Sequence, residues 1–204
     1  LSSNREKGYF EEYPSIYKYQ SSESLIKELL EYYKATYGDG KGNQMVGDSQ
    51  LIGVYSPIKR CLKTSFALAL SQVYGQEYTT LYLSLERFSG MDALLGKEAL
   101  STLSDTMYYF RERREGFIEK LDSMVERIEM IVINPEDIEN IEGGEWLDFL
   151  KTLLNKSKYK IIIIDFGEGI RGIYEILRIC NKIYMPSRTD QVSVAKLEKY
   201  EGYL

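Results

Sequence analysis

The chain of 204 residues is 44% hydrophobic and 28% charged, enough for the core of one domain with a fragment of a second. Its net charge of −5 disfavours a nonspecific nucleic-acid binder, which needs clustered Lys and Arg against phosphates. The absence of histidine and the presence of only two, widely separated cysteines, Cys61 and Cys180, disfavour imidazole catalysis, a zinc site and a disulfide framework, and suit the reduced thiols of the cytoplasm.

Residues 1–20 are irregular and rich in tyrosine, with a short strand predicted at SIYKY. The next segment, SSESLIKELLEYYKATYG, predicts a helix: serine stands at its start, Leu25, Ile26, Leu29, Leu30 and Tyr33 share a face, and Gly38 falls where a C-cap belongs. GDGKGNQMVGDSQ predicts a linker. From Leu51 the pattern is regular. LIGVYS predicts a strand, Lys63 to Tyr74 a helix stopped by Gly75, TTLYLSL a strand, and LSDTMYYFRERREGFIEKLDSM mostly helix. EMIVIN predicts a strand stopped by Pro135, EWLDFLKTLLNKS a helix, YKIIIIDFG a strand, IYEILRIC a helix, KIYMP a strand, and TDQVSVAKLEKYEGYL a helix.

The strands are short apolar runs without alternation, so both of their faces are buried. The fold class is therefore α/β, a mainly parallel, doubly wound sheet with helices on both faces. The longest apolar runs are the size of IIIID, far short of the ~20 residues of a membrane helix, which argues against direct membrane insertion.

In doubly wound sheets, ligands lie beyond the carboxyl ends of the strands, so the residues following each strand carry the chemistry. Here those are SPIKRCLKTS, LERFSG, FGEG after IIIID, and PSRTD. A triphosphate requires N–H groups at a helix start, an ammonium on the phosphates, a hydroxyl on magnesium and a carboxylate behind that metal. Lys63, Thr64 and Asp165 are the residue types for the last three tasks, with Lys59, Arg60, Cys61, Leu62 and Ser65 completing the loop and Pro186 and Ser187 in the loop facing the base. Glu86 follows the second strand, in the turn that would suit a first switch. The competing readings are a Lys-Thr pair that merely opens a helix, a strand-end turn at Asp165, a solvated Glu86 and a small buried thiol at Cys61.

SPIKRCLKTSFALAL, LYLSLERFSG, KIIIIDFGEGI and CNKIYMPSRTDQVSVAKLEKYEGYL together resemble the MinD/ParA branch of P-loop ATPases, and within it the TadZ or CpaE proteins that localise Flp/Tad pilus assembly. The resemblance covers roughly residues 50–204. It implies ATP or ADP with Mg²⁺ as cofactors, a homodimer with the nucleotide sandwiched between subunits, and pilus or secretion machinery as partners. IYKYQSSESLIKELLEYY resembles the last strand and helix of the receiver-like domain that precedes the ATPase domain in such proteins. That implies residues 1–38 as the end of a receiver, 39–49 as linker and 50–204 as the ATPase domain, in a chain that is a piece of something longer.

The family loop K-G-G-x-G-K-T falls on Ile58, Lys59, Arg60, Cys61, Leu62, Lys63 and Thr64. Ile58 replaces the lysine that crosses the dimer, and all three glycines are gone. The D-x-D switch falls on Ser84 and Glu86, and D-x-P-A-G begins at Asp165. Groups for binding are present and those for hydrolysis are mostly missing. The expected function is an ATP-binding, weakly hydrolysing positioning module. The alternatives are a pseudo-ATPase interaction domain without nucleotide, and a bacterial tyrosine-kinase-like enzyme suggested by the 18 tyrosines.

Overall fold

The computed structural model describes residues 49–90, 103–112, 117–118, 129–132 and 140–203, with isolated positions between 20 and 31. Among the isolated positions, Ser24, Lys27, Glu28 and Glu31 are helical, and the Ser24 N–H donates to Ser21 Oγ at 3.2 Å, a serine cap at the predicted helix start. The predicted strand at SIYKY and the linker through residue 48 lie outside the described residues.

Among the described residues five strands form one sheet: β1 (Gln50–Val54), β2 (Thr80–Ser84), β3 (Glu129–Val132), β4 (Ile161–Asp165) and β5 (Lys182–Tyr184). Their order across the sheet is β3-β2-β4-β1-β5, and every pair is parallel. Five helices lie between and after them among the described residues: α1 (Lys63–Tyr74), α2 (Leu103–Arg111), α3 (Gly143–Lys156), α4 (Ile173–Ile179) and α5 (Gln191–Glu201). The α/β class and parallel sheet expected from the apolar runs are thus observed.

The two faces of the central strands divide the core. Leu51, Leu81, Leu83, Leu85, Ile162 and Ile164 face one way and pack with Trp146, Phe149 and Leu150 of α3 and with Ile176 and Leu177 of α4. Ile52, Val54, Tyr82, Ile161 and Ile163 face the other way, onto Ala67 and Leu70 of α1. Every residue of β2 and β4 is buried, which is why neither strand alternates. Truncating one of these central side chains to alanine costs ~2–5 kcal/mol.

Helix boundaries depart from the sequence reading where caps decide them. Helix α3 begins two residues before EWLD, because Glu142 is extended and its carbonyl accepts from the Trp146 N–H at 3.1 Å. Helix α5 starts after Asp190, whose carboxylate accepts from the Ser193 N–H at 3.1 Å and its hydroxyl at 2.8 Å. Those bonds hold the Asp190 carboxyl below the usual carboxylate range. Strand β5 stops at Tyr184, before Met185 and Pro186.

The register places the chain ends of three strands together. Asp165 is level with Val54 of β1 and with Ser84 of β2. The tip of β4 is held from both sides, since the Phe166 N–H donates to Val54 O at 3.0 Å and the Leu85 N–H to Asp165 O at 2.9 Å.

Candidate nucleotide site

The segment between β1 and α1 wraps the helix start without the glycines usual in such loops. Arg60 and Leu62 adopt left-handed backbone conformations, with φ of 58° and 59°. A Cβ in that region costs roughly 1–2 kcal/mol per residue. The loop is fixed from within by Ile58, whose N–H donates to Ser56 Oγ at 3.1 Å and whose carbonyl accepts from Cys61 Sγ at 3.3 Å. Both side chains are buried, so Cys61 is the small core thiol of the competing reading, and Ile58 turns inward instead of reaching toward another subunit.

This curl leaves the N–H groups of Lys59 through Ser65 without a hydrogen bond to any described residue. No side chain caps α1 either. A run of free donors at a helix N-terminus has the electrostatics of an anion cradle.

Lys63 occupies the centre. Its ammonium donates to Glu86 Oε1 and to the Phe166 carbonyl, and stands 3.2 Å from Asp165 Oδ1. Burial works to lower its pKa, but Asp165 and Glu86 outweigh burial and hold the ammonium above its ordinary value. Asp165 is fully buried. Its Oδ2 accepts from the Tyr82 hydroxyl at 3.0 Å, while Oδ1 has the ion pair with Lys63 but no donor aligned for a hydrogen bond. Burial first, and Asp165 second, push the Tyr82 hydroxyl far above the usual tyrosine range, so it remains a donor.

The turns after β2 and β4 touch one another. A Cβ on Gly167 would stand 2.1 Å from Leu85 O and 2.8 Å from Glu86 Cα, so only glycine fits there. Glu168, next along the turn, pairs with Lys59 at 2.9 Å, both side chains being exposed. An exposed pair of this kind contributes ~0–1 kcal/mol.

Lys59, Arg60, Cys61, Leu62, Lys63, Thr64, Ser65, Glu86 and Asp165 therefore cluster at the carboxyl ends of β1, β2 and β4. Thr64 is half-buried and Ser65 exposed on the first turn of α1. Pro186 is buried and Ser187 half-buried after β5, the strand beside β1, and no hydrogen bond joins them to the loop among the described residues. Sequence reasoning missed Tyr82, the Phe166 carbonyl and Gly167. The signal for Tyr82 was a phenol between two leucines in a buried strand, whose hydroxyl costs free energy unless it is bonded.

The donor set suits a nucleotide with magnesium. Lys63 and the free N–H groups suit phosphate oxygens, and the Thr64 hydroxyl and Asp165 Oδ1, which accepts no hydrogen bond, are the oxygen types that magnesium or its waters take. Among the described residues no three acidic or cysteine side chains gather into a metal cage. Magnesium at phosphates needs none, because it keeps waters and takes one or two protein oxygens.

No protein-family model and no curated protein matches the chain. Solved structures do. A ParA family ATPase from Chlorobium tepidum matches with a TM-score of 0.61 at 19% identity, over 74% of this chain and 65% of that one. A plasmid partition protein from Borrelia burgdorferi bound to AMPPNP gives 0.59 at 13% identity, over 76% and 70%. MinD from the Aquifex aeolicus MinC:MinD cell division complex gives 0.55 at 15% identity, over 76% and 63%. The fold is that of the ParA/MinD-type P-loop ATPases. The segment from Ser56 to Ser65 joins β1 to α1, with Lys63 and Thr64 on the helix's first turn. No helix among the described residues is long and apolar enough to cross a membrane.

Proposed function

We propose that the chain binds ATP or ADP with magnesium at the mouth of β1, β2 and β4, turns it over slowly, and acts as a self-associating positioning module of TadZ type for pilus or secretion machinery. The observation that carries this reading is the convergence of the Lys63 ammonium, the free N–H groups of Lys59 through Ser65 and the buried Asp165 carboxylate on one helix start. Residues 1–38 serve in this reading as the end of a receiver-like domain.

Lys63 and the loop N–H groups hold the phosphates, Thr64 and Asp165 hold magnesium, and Pro186 and Ser187 border the base. Magnesium supplies charge neutralisation on the phosphate oxygens when bound. Turnover is slow because Ile58 is buried where a cross-subunit ammonium is needed, and Lys59 is paired with Glu168. Each missing donor to a developing charge costs ~10²-fold or more in rate. Glu86 has the position to orient water, but in this structure it accepts from Lys63.

Self-association uses the face that carries the loop and the turn after β2, where Arg60, Leu62 and Phe88 are exposed. Isothermal titration with ATP and magnesium, followed by light scattering with and without nucleotide, tests both halves. Binding together with nucleotide-dependent dimerisation is the expected result. An absence of nucleotide binding overturns the reading in favour of a pseudo-ATPase interaction domain.

A further inference from the structure

Tyr82 sits in the centre of β2, wholly buried, with aliphatic residues on either side. A phenol hydroxyl in such a place costs free energy unless it is bonded, and the partner it finds is a functional carboxylate rather than a carbonyl. Its O–H donates to Asp165 Oδ2 at 3.0 Å. Tyr82 is level with Ile163, two residues before Asp165 on the neighbouring strand, and both side chains lie on the sheet face that α1 covers. The bond therefore runs along the sheet toward the strand tip, from a rigid element to the residue that closes the site.

We infer that Tyr82 is a positioning residue: it pins Oδ2 of Asp165 and so aims Oδ1 at the mouth of the phosphate loop, where magnesium is held. This rests on the nucleotide reading above. Asp165 is wholly buried and its charge is met by two groups, Tyr82 on one oxygen and Lys63 on the other. When Lys63 turns toward a phosphate, the ammonium contact weakens, and the Tyr82 hydroxyl keeps the carboxylate oriented. Groups that orient a metal's carboxylate typically change metal affinity ~10–100-fold when removed. Without the hydroxyl, the magnesium contribution to binding falls while the phosphate contribution from Lys63 and the loop stays.

The test is calorimetric titration of the chain with ATP, once with magnesium and once with EDTA, for the wild type, Tyr82→Phe, Asp165→Asn and the double variant. Tyr82→Phe is expected to lose ~10-fold in affinity with magnesium and to match the wild type in EDTA. Asp165→Asn is expected to lose the magnesium effect, and adding Tyr82→Phe to it should change nothing further, since the hydroxyl acts through that carboxylate. Equal losses with and without magnesium, or a further drop in the double variant, overturn the inference by assigning Tyr82 to packing alone. If Tyr82→Phe does not fold, the comparison of Asp165→Asn with the double variant decides by the same criterion. A wild type that binds while Tyr82→Phe is unchanged overturns this inference only; a wild type that binds no nucleotide overturns the functional reading with it.

Discussion

The Lys63 ammonium lies 3.2 Å from Asp165 Oδ1 and bridges the first turn of α1 to the tip of β4. Removing one partner of a buried pair strands the other charge, at a cost of ~3–5 kcal/mol. Lys63→Met should therefore both abolish nucleotide binding and lower stability by about 3 kcal/mol, read by urea denaturation. Lys63→Met/Asp165→Asn should recover most of that stability and none of the binding. A Lys63→Met protein as stable as the wild type would show that the Lys63–Asp165 contact contributes no net stability.

Glu86 holds the ammonium that a phosphate would need. Its carboxylate accepts from Lys63 Nζ, yet its side chain remains 32% exposed, so releasing it to water costs little. Glu86→Gln weakens that hold and should raise nucleotide affinity several-fold, on the order of 1 kcal/mol for one charge-assisted bond. Turnover should not rise with it. Unchanged affinity would mean that the Phe166 carbonyl and Asp165 alone set the resting position of Lys63.

Much of this was legible in the chain. The parallel sheet followed from IIIID and TLYLS, whose unbroken apolar runs fit burial on both faces, and α1 was bounded by Lys63 and Gly75 as the pattern indicated. Three strand ends supplied Lys63, Glu86 and Asp165 because ligands gather at carboxyl ends in this architecture. What escaped was contact between elements. Nothing local says that Gly167 lies against Leu85, or that Tyr82 meets Asp165 across 83 positions of chain. The inward turn of Ile58 likewise depends on the curl of the loop, which Cys61 closes through its bond to the Ile58 carbonyl.

Leu62 holds φ at 59° directly before Lys63, where glycine would carry no Cβ penalty. Leu62→Gly relieves roughly 1–2 kcal/mol of left-handed strain but adds freedom to the unfolded chain worth ~0.4–1 kcal/mol. Stability should therefore rise by between about 0 and about 1.6 kcal/mol, while a phosphate would gain room at the loop and nucleotide affinity should rise. Leu62→Val, β-branched in the same conformation, should lower the melting temperature instead. A marked loss of stability in Leu62→Gly would show that the half-exposed leucine contributes packing that outweighs its strain.

Alkaline pH should destabilise the fold. Burial, with Tyr174 and Tyr200 beside it, pushes the Tyr55 hydroxyl up to about 12, and Lys63 and Tyr82 are raised as well. For each, the folded state binds its proton more tightly than the unfolded state, whose values lie near ~10 for tyrosine and ~10.4 for lysine. The stability each contributes is therefore complete below about pH 10 and is lost as pH rises through the folded values. Denaturation midpoints should stay level up to about pH 9.5 and then fall between about pH 10 and 12, with tyrosinate absorbance from the buried rings appearing together with unfolding. Tyr55 meets Phe166 edge-on at 6.4 Å and Tyr200 at 5.8 Å, so Tyr55→Phe keeps the ring packing while removing one titrating group. That variant should show a shallower fall over the same range. Midpoints that hold level to about pH 12 in the wild type would mean that these protons are bound no more tightly in the folded chain than in the unfolded one.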